Sequence, residues 1–277
     1  MGAIIRSGLF VPATRTDRIS KAVATGADIV IVDLEDAVGP LDKATARDAL
    51  ADYLVTDSEQ NLCVRLNSDD TQWHEEDLAL CEKFKFKLFC VMLPKVETAD
   101  QVHAIYERTG LRVITLIETA RGLVALREIA SSSGTLAMSI GELDLGISMG
   151  LPVTGSDVKI DAGLEFLMKQ IYADLAIASS CAGIQGPLAS VYSDYKNVDG
   201  YASRLKFAKG MGFAGGLCIH PKQVGVVKDV FAVDPELLAW AQSVMDAVVV
   251  HGESAFSLDG QMVDKPVIER AKRILGL

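Results

Sequence analysis

The chain is poor in histidine, in aromatic residues and in positive charge, and it has no apolar run of membrane-spanning length. The four histidines, His74, His103, His220 and His251, show no metal-ligand spacing, which disfavours zinc; His103 and His251 read as surface residues. Lys and Arg number 27 against 37 Asp and Glu. The net charge of −10 argues against nucleic acid as a partner, because phosphate binding needs a basic face. An anionic small molecule stays open, since that needs only a local cluster. The longest apolar runs, such as Ile29–Val32, are strand-sized and far short of the ~20 residues of a membrane span, so no membrane association is expected. The start, Met1-Gly2-Ala3-Ile4-Ile5-Arg6, lacks a basic stretch leading into an apolar one, so no secretory signal is expected and the reading is cytoplasmic. Five cysteines (Cys63, Cys81, Cys90, Cys181 and Cys218) form no C-x-x-C and are odd in number. They read as buried, reduced thiols and not as disulfides or a zinc site. Gly141–Gly146 does not read as a phosphate loop, neither a P-loop nor a dinucleotide loop is expected, and no nucleophile elbow or serine triad is visible.

What is present is a large apolar chain, 277 residues and 49% hydrophobic, in which strand-like and helix-like stretches alternate. Asp28–Asp33 is apolar at consecutive positions, as a strand buried on both faces is. Ser7–Val11, Asn61–Leu66, Phe89–Leu93, Val113–Ile117, Leu136–Ile140 and Gly216–Ile219 read as further strands, with a weak one at Gly183–Gly186. Thr16 is a candidate cap for the first helix, and residues 150–163 read as a long loop. Eight strand–helix units in series predict an α/β fold, a (β/α)8 barrel spanning residues 1–231. A doubly wound open sheet gives a similar string but rarely needs eight strands. The remaining residues, 232–277, predict a helix, a hairpin around Leu258-Asp259-Gly260-Gln261 and a last helix from Pro266. That extension is short for a core of its own and is expected to pack on the barrel or on a neighbouring subunit.

Active sites of such barrels lie at the carboxyl ends of the strands. There the sequence places Asp33-Leu34-Glu35-Asp36, Arg65 with Asn67, Pro94-Lys95, Glu118, Glu142 with Asp144, and His220. Glu118 and Asp144 suit a hard divalent cation, because Mg²⁺ is commonly held by two carboxylates together with waters and substrate oxygens. The structural alternative is that either one pairs with Arg121 or Arg127. Arg65 lies inside a strand-like run, where an arginine points into a pocket, and a bound anion explains it economically. Lys95 is a Schiff-base candidate, although beside so many carboxylates an electrostatic role suits it better.

Six motifs in this order and spacing resemble the HpcH/HpaI aldolase–citrate lyase family. They are Asp33-Leu34-Glu35-Asp36-Ala37-Val38, Val64-Arg65-Leu66-Asn67, Met92-Leu93-Pro94-Lys95-Val96-Glu97, Ile117-Glu118-Thr119-Ala120-Arg121-Gly122, Gly141-Glu142-Leu143-Asp144-Leu145 and Leu217-Cys218-Ile219-His220-Pro221. The branch they are most similar to is that of citrate lyase β-subunit-like proteins, with citramalyl-CoA and malyl-CoA lyases. The resemblance implies a Mg²⁺-dependent carbon–carbon lyase acting on a 3-hydroxyacyl-CoA thioester, with a 2-keto acid as product. It implies Glu118 and Asp144 as metal ligands, Arg65 and Glu118 in substrate binding, and Arg65 as a catalytic cation. Glu35, Asp36 and Lys95 would orient Arg65 or hold metal-bound water. Asp264, after Met262-Val263, resembles an acid/base contributed across a subunit interface of a homotrimer or hexamer.

The chain departs from the family pattern at Pro12-Ala13, at Ser148-Met149-Gly150 and at Ala189-Ser190, which bears on substrate identity. Two other classes stand beside this one. A class II aldolase on free 2-keto acids resembles the sister branch, but that branch has an early base histidine and here none precedes His74. The other is a non-catalytic acyl-CoA-binding subunit of a citrate-lyase-like complex.

Overall fold

The computed structural model describes residues 4–56, 61–151 and 162–277. The chain divides into two compact units, Met1–Phe231 and Ala232–Leu277. In the first, eight parallel strands close into a barrel in sequence order: β1 (Ser7–Pro12), β2 (Ile29–Asp33), β3 (Leu62–Arg65), β4 (Cys90–Leu93), β5 (Val113–Ile117), β6 (Thr135–Ile140), β7 (Leu188–Ala189) and β8 (Gly215–Cys218). Helices connect successive strands, so the fold is a TIM barrel.

The strands are apolar throughout because both of their faces are covered. Ile29, Ile31, Cys63, Cys90, Met92, Ile114, Leu116, Ala137 and Leu217 form one buried cluster, which fills the barrel. The alternate residues Val30, Val32, Val64, Val91, Leu93, Val113 and Ile117 belong to the larger cluster beneath the helices. This period of two positions the site. Continuing the inward set by one step beyond the apolar layer leads from Ile31 to Asp33, from Cys63 to Arg65, from Leu116 to Glu118, and from Ala137 through Ser139 to Gly141. The apolar layer ends and the same face becomes charged.

Local expectations differ from the structure in three places. The seventh strand is Leu188–Ala189 and not Gly183–Gly186. Gly183 adopts a left-handed φ of +68°, and a Cβ on Gly186 would stand 2.3 Å from the Gly212 carbonyl, so these glycines shape the approach while Leu188 reaches the barrel interior. Thr16 does not cap the first helix: Ala13–Arg18 is a 3₁₀ segment without a side-chain cap, broken at Arg15 and running into the helix Ile19–Val23. Cys181 is exposed, whereas Cys63, Cys81, Cys90 and Cys218 are buried and all five are unpaired. The loop expected over 150–163 lies largely outside the described residues.

The second unit contains the helix Pro235–His251, the antiparallel pair β9 (Phe256–Leu258) and β10 (Gln261–Val263), and the helix Lys265–Leu275. Asp259 and Gly260 both take positive φ, +50° and +77°, as a two-residue hairpin turn requires. Contrary to the expectation from its length, this unit has an apolar cluster of its own in Ala241, Val244, Val263, Ile268 and Ala271. No helix among the described residues is long and apolar enough to cross a membrane.

Candidate active site

At the carboxyl end of the barrel a cavity of about 480 Å³ is lined by Asp33, Asp36, Arg65, Glu118, Glu142 and Asp144, with Phe10, Leu143, Val191 and Ile219 as apolar wall. Arg65, Glu118 and Asp144 are thus brought together from three separate elements. Ser190, one of the departures from the family pattern, also lines this cavity.

The Arg65 guanidinium is clamped from below. Its Nε donates to Asp33 Oδ1 at 2.8 Å and its Nη2 to Asp33 Oδ2 at 2.6 Å. The parallel register makes this pair, since Asp33 and Arg65 are Cα partners across β2 and β3. Asp33 is held in turn by the backbone N–H groups of Glu35 (2.9 Å) and Ala37 (3.1 Å). The guanidinium carbon lies 4.9 Å from the Phe10 ring centre. Burial works against the charged guanidinium, but Asp33 and Glu35 outweigh it and keep Arg65 cationic. Its counter-ion is therefore part of the chain, and no bound anion is needed to account for its burial. Asp33 has the largest share in this and received no role from the sequence. The alternation Ile29, Ile31, Asp33 is the signal that identifies it.

Glu35 is buried, with Oε2 3.0 Å from Arg65 Nη1 and Oε1 3.3 Å from Lys95 Nζ. The Oε2 contact is an ion pair without hydrogen-bond alignment, so this buried oxygen accepts no hydrogen bond. Burial, the first cause, raises the Glu35 pKa above the ordinary carboxylate value, and Arg65 opposes it. Asp36 is more exposed and stands 3.7 Å from Arg65 Nη1. Asn67, expected on the rim, belongs to a buried network instead. Its Nδ2 donates to Asp77 Oδ2 at 2.6 Å and to Leu34 O at 3.0 Å. Lys43, a buried lysine that the sequence did not signal, donates to Asn67 Oδ1 (2.6 Å), Leu34 O (2.7 Å) and Glu35 O (2.8 Å), and pins the Leu34-Glu35 turn.

Lys95 adopts a left-handed backbone, φ +52°, which is costly for a residue with a Cβ. This conformation aims its N–H at Glu118 Oε2, 3.0 Å away. Burial alone would lower the Lys95 pKa, but Glu35, Glu118 and Asp36 outweigh it and hold it above the ordinary lysine value. A Schiff-base lysine needs the opposite shift.

Glu118 follows β5 and is 4% exposed. Gly141 faces it: a Cβ there would stand 2.2 Å from Glu118 Oε1 and 2.6 Å from Cγ. Gly141 has an unremarkable φ of −95°, so a glycine is required for space and not for conformation. Burial pushes the Glu118 pKa up to about 7, with Glu35 and Asp144 adding to the effect and the Lys95 N–H and Arg65 opposing it. Asp144 lies in the helix Glu142–Ser148, half-buried. Among the described residues its carboxylate has no hydrogen bond or ion pair. The alternative partners turn elsewhere: Arg121 is exposed and 3.6 Å from Glu97, and Arg127 is exposed.

This donor set suits a hard divalent cation. A buried carboxylate is held in a cradle that a single Cβ would fill, beside a second carboxylate without an ion pair among the described residues. Among the described residues no third protein ligand joins them. Mg²⁺ tolerates this, since it keeps several of its waters.

Other spacings in the chain are excluded by their surroundings. Gly146-Ile147-Ser148-Met149-Gly150 has the G-x-S-x-G spacing, but Ser148 ends a helix instead of standing on a strand-to-helix turn, and its Oγ accepts from the Ala120 N–H at 3.2 Å. Gly210–Gly215 has the spacing G-x-G-x-x-G, but it runs from a helix end into β8, the reverse of a dinucleotide loop. His220 stacks on Tyr195 with ring centres 4.5 Å apart, and its Nδ1 accepts from the Lys222 N–H. Asp264 stands in the second unit, where it caps the helix Lys265–Leu275 and its Oδ1 accepts from the Val267 N–H at 3.3 Å.

The sequence model of the family described as HpcH/HpaI aldolase/citrate lyase matches residues 6–221. A citrate lyase subunit beta-like protein of Mycobacterium tuberculosis (strain ATCC 25618 / H37Rv) is 37% identical over 267 residues, covering 96% of this chain and 93% of that protein. An L-malyl-CoA/beta-methylmalyl-CoA lyase of Cereibacter sphaeroides (strain ATCC 17029 / ATH 2.4.9) is 32% identical over 297 residues, covering 98% and 93%. Protein CitE from M. tuberculosis, solved in complex with magnesium, acetoacetate and coenzyme A, has a TM-score of 0.80 and 35% identity, covering 100% of this chain and 98% of that one.

Proposed function

The chain belongs to the HpcH/HpaI aldolase/citrate lyase family, and from that premise we propose a Mg²⁺-dependent lyase that cleaves a 3-hydroxyacyl-CoA such as citramalyl-CoA or malyl-CoA. The products are acetyl-CoA and a 2-keto acid, pyruvate or glyoxylate. The observation that carries this reading is the pairing, in one cavity, of an internally neutralised guanidinium with two carboxylates, Glu118 and Asp144, that form no ion pair among the described residues. Magnesium is the metal present in the similar CitE structure.

In this reading Glu118 and Asp144 hold the metal, which when bound supplies Lewis-acid polarisation of the substrate oxygen that becomes the keto group. The substrate hydroxyl passes its proton to solvent water as its carbon becomes the carbonyl, and this release balances the proton later delivered to the α-carbon. The bond from that carbon to the thioester α-carbon breaks, and its electron pair passes to the thioester as an enolate. Arg65 faces that developing charge from a fixed position, because Asp33 holds its fork and no reorganisation is needed during the reaction. Asp264, supplied by a neighbouring subunit as the resemblance implies, returns a proton to the α-carbon, completing the acetyl group, or removes it in the condensing direction. The support for Asp264 is its place in the resemblance and a carboxylate whose Oδ1, among the described residues, takes only one weak cap bond. Phe10, Val191 and Ile219 form an apolar part of the cavity wall.

The test is incubation of the purified full chain with citramalyl-CoA and malyl-CoA, with Mg²⁺ or with a chelator. Mg²⁺-dependent, equimolar release of acetyl-CoA and keto acid is expected, together with its loss in a folded Glu118→Ala variant. Cleavage of neither thioester, or cleavage indifferent to chelator, would overturn the proposal. The aldolase class is disfavoured by the same site, because His74, the earliest histidine, is engaged with the Asn67 carbonyl at 2.8 Å, within the buried network and outside the cavity lining.

A further inference from the structure

The helix that carries Asp144 is short, Glu142–Ser148, and has no side-chain cap at its start. Two contacts join it to the β5 end of the barrel: the Gly141 N–H donates to Ile117 O at 3.1 Å, and Ser148 Oγ accepts from the Ala120 N–H. Among the described residues Asp144 itself is held by nothing but its backbone. Two residues earlier the situation is reversed. Glu142 Oε1 accepts from the Tyr172 hydroxyl at 2.6 Å, and Glu142 Oε2 pairs with Arg204 Nη2. These partners come from two different outer helices, Ala162–Ala182 and Val198–Gly210. Tyr172 is buried, with its ring stacked on Phe213 at 4.7 Å and tilted against Phe207 at 5.9 Å, so its hydroxyl has a fixed place. Fixing both oxygens of Glu142 sets the rotation of the first turn, and Asp144 lies in that turn. It also withholds Glu142, which lines the same cavity, from the cation.

We propose that Glu142, Tyr172 and Arg204 form a clamp that presents Asp144 to the metal, with Tyr172 as a positioning residue outside the cavity. The inference rests on the reading of Asp144 as a metal ligand. It gives a task to a glutamate, a buried phenol and an arginine that the reaction does not otherwise use.

Mn²⁺ serves as the probe, titrated into the metal-free full chain by electron paramagnetic resonance or calorimetry, with thermal unfolding in chelator measured alongside. Wild type, Asp144→Asn and Tyr172→Phe are compared. Tyr172→Phe keeps the ring and its stacking, loses the hydroxyl, and is expected to weaken Mn²⁺ binding about tenfold, the lower end of the range for partners that orient a ligand. Its unfolding temperature in chelator should stay near that of wild type. Tyr172→Phe with wild-type Mn²⁺ affinity overturns the clamp, and so does a change confined to unfolding temperature. If Tyr172→Phe does not fold, Glu142→Gln carries the same test: it keeps an acceptor for Tyr172, loses the pair with Arg204, and must also weaken Mn²⁺ binding. Asp144→Asn with wild-type affinity would instead sink the metal-site reading and the clamp with it, which separates the two failures.

Discussion

Replacing Gly141 with alanine isolates one feature of the site. The backbone at Gly141, φ −95° and ψ 90°, is open to alanine, so the variant carries no conformational penalty of the left-handed kind. The added methyl group would lie 2.2 Å from Glu118 Oε1, 2.6 Å from Cγ and 2.8 Å from Cδ. Ordinary contact between such atoms is about 3.5 Å, so the carboxylate must retreat by roughly 1 Å. It has little room to do so: Glu118 is buried, and its Oε2 accepts from the Lys95 N–H at 3.0 Å. Overpacking of this kind costs about 1–3 kcal/mol of stability. A misplacement of about 1 Å costs on the order of 100-fold in rate, and Mg²⁺ demands near-octahedral geometry, which a displaced ligand spoils. Gly141→Ala should therefore unfold a few degrees lower, bind Mg²⁺ or Mn²⁺ about 10–100-fold more weakly, and turn over about 100-fold more slowly. Calorimetric titration of metal, thermal unfolding and the acetyl-CoA release assay read the three effects. A Gly141→Ala protein with wild-type metal affinity would refute the claim that Glu118 holds the cation from this cradle.

Three further outcomes follow from the same geometry. In metal-free protein the Glu118 pKa is raised from 4.5 to about 7, so between those values the folded state holds a proton that the unfolded state has lost. Its contribution to stability must fall as pH rises from about 4.5 to about 7, by at most about 3.5 kcal/mol at ~1.4 kcal/mol per unit. Denaturant melts in chelator, compared with Glu118→Gln, should show this decline in wild type alone; parallel pH profiles would remove it. Arg65→Lys keeps a charge but loses the fork on Asp33, and a kcat loss of about 100-fold is expected, equivalent to about 3 kcal/mol of barrier. A kcat unchanged in steady-state assay would take Arg65 out of enolate stabilisation. Asp264→Asn should lower turnover by about 10²–10⁴-fold and abolish exchange of acetyl-CoA methyl protons with D₂O, followed by NMR, while leaving metal affinity intact. Undiminished exchange would show that another group moves the proton.

The barrel was legible in the sequence because each strand is buried on both faces. Such strands leave a largely apolar trace, and the first five end at or beside a charged or proline residue, as at Ile29–Asp33 and Val113–Glu118. The weakest trace, β7, was misplaced by a few residues: two residues of strand leave no periodicity, and the glycines before it look equally extended. Arg65, Glu118 and Asp144 were legible as residues at strand ends, and the order of their motifs identified the family. Asp33 was visible in the same run as Glu35 and Asp36 but could not be ranked above them without the register.

By itself, then, the sequence determined the period-two burial pattern, the barrel, and the group of charged residues at its carboxyl rim. Only the tertiary structure decided which charge answers which. The register of β2 on β3 turns Asp33 toward Arg65, and the approach of β6 to β5 leaves room for Glu118 only beside a glycine. Packing of two outer helices engages Glu142 and leaves Asp144 unpartnered among the described residues. The physical reason is that burial is a property of each residue and its neighbours along the chain, while a buried charge is governed by partners within a few ångströms in space, which here lie about 30 to 60 residues away.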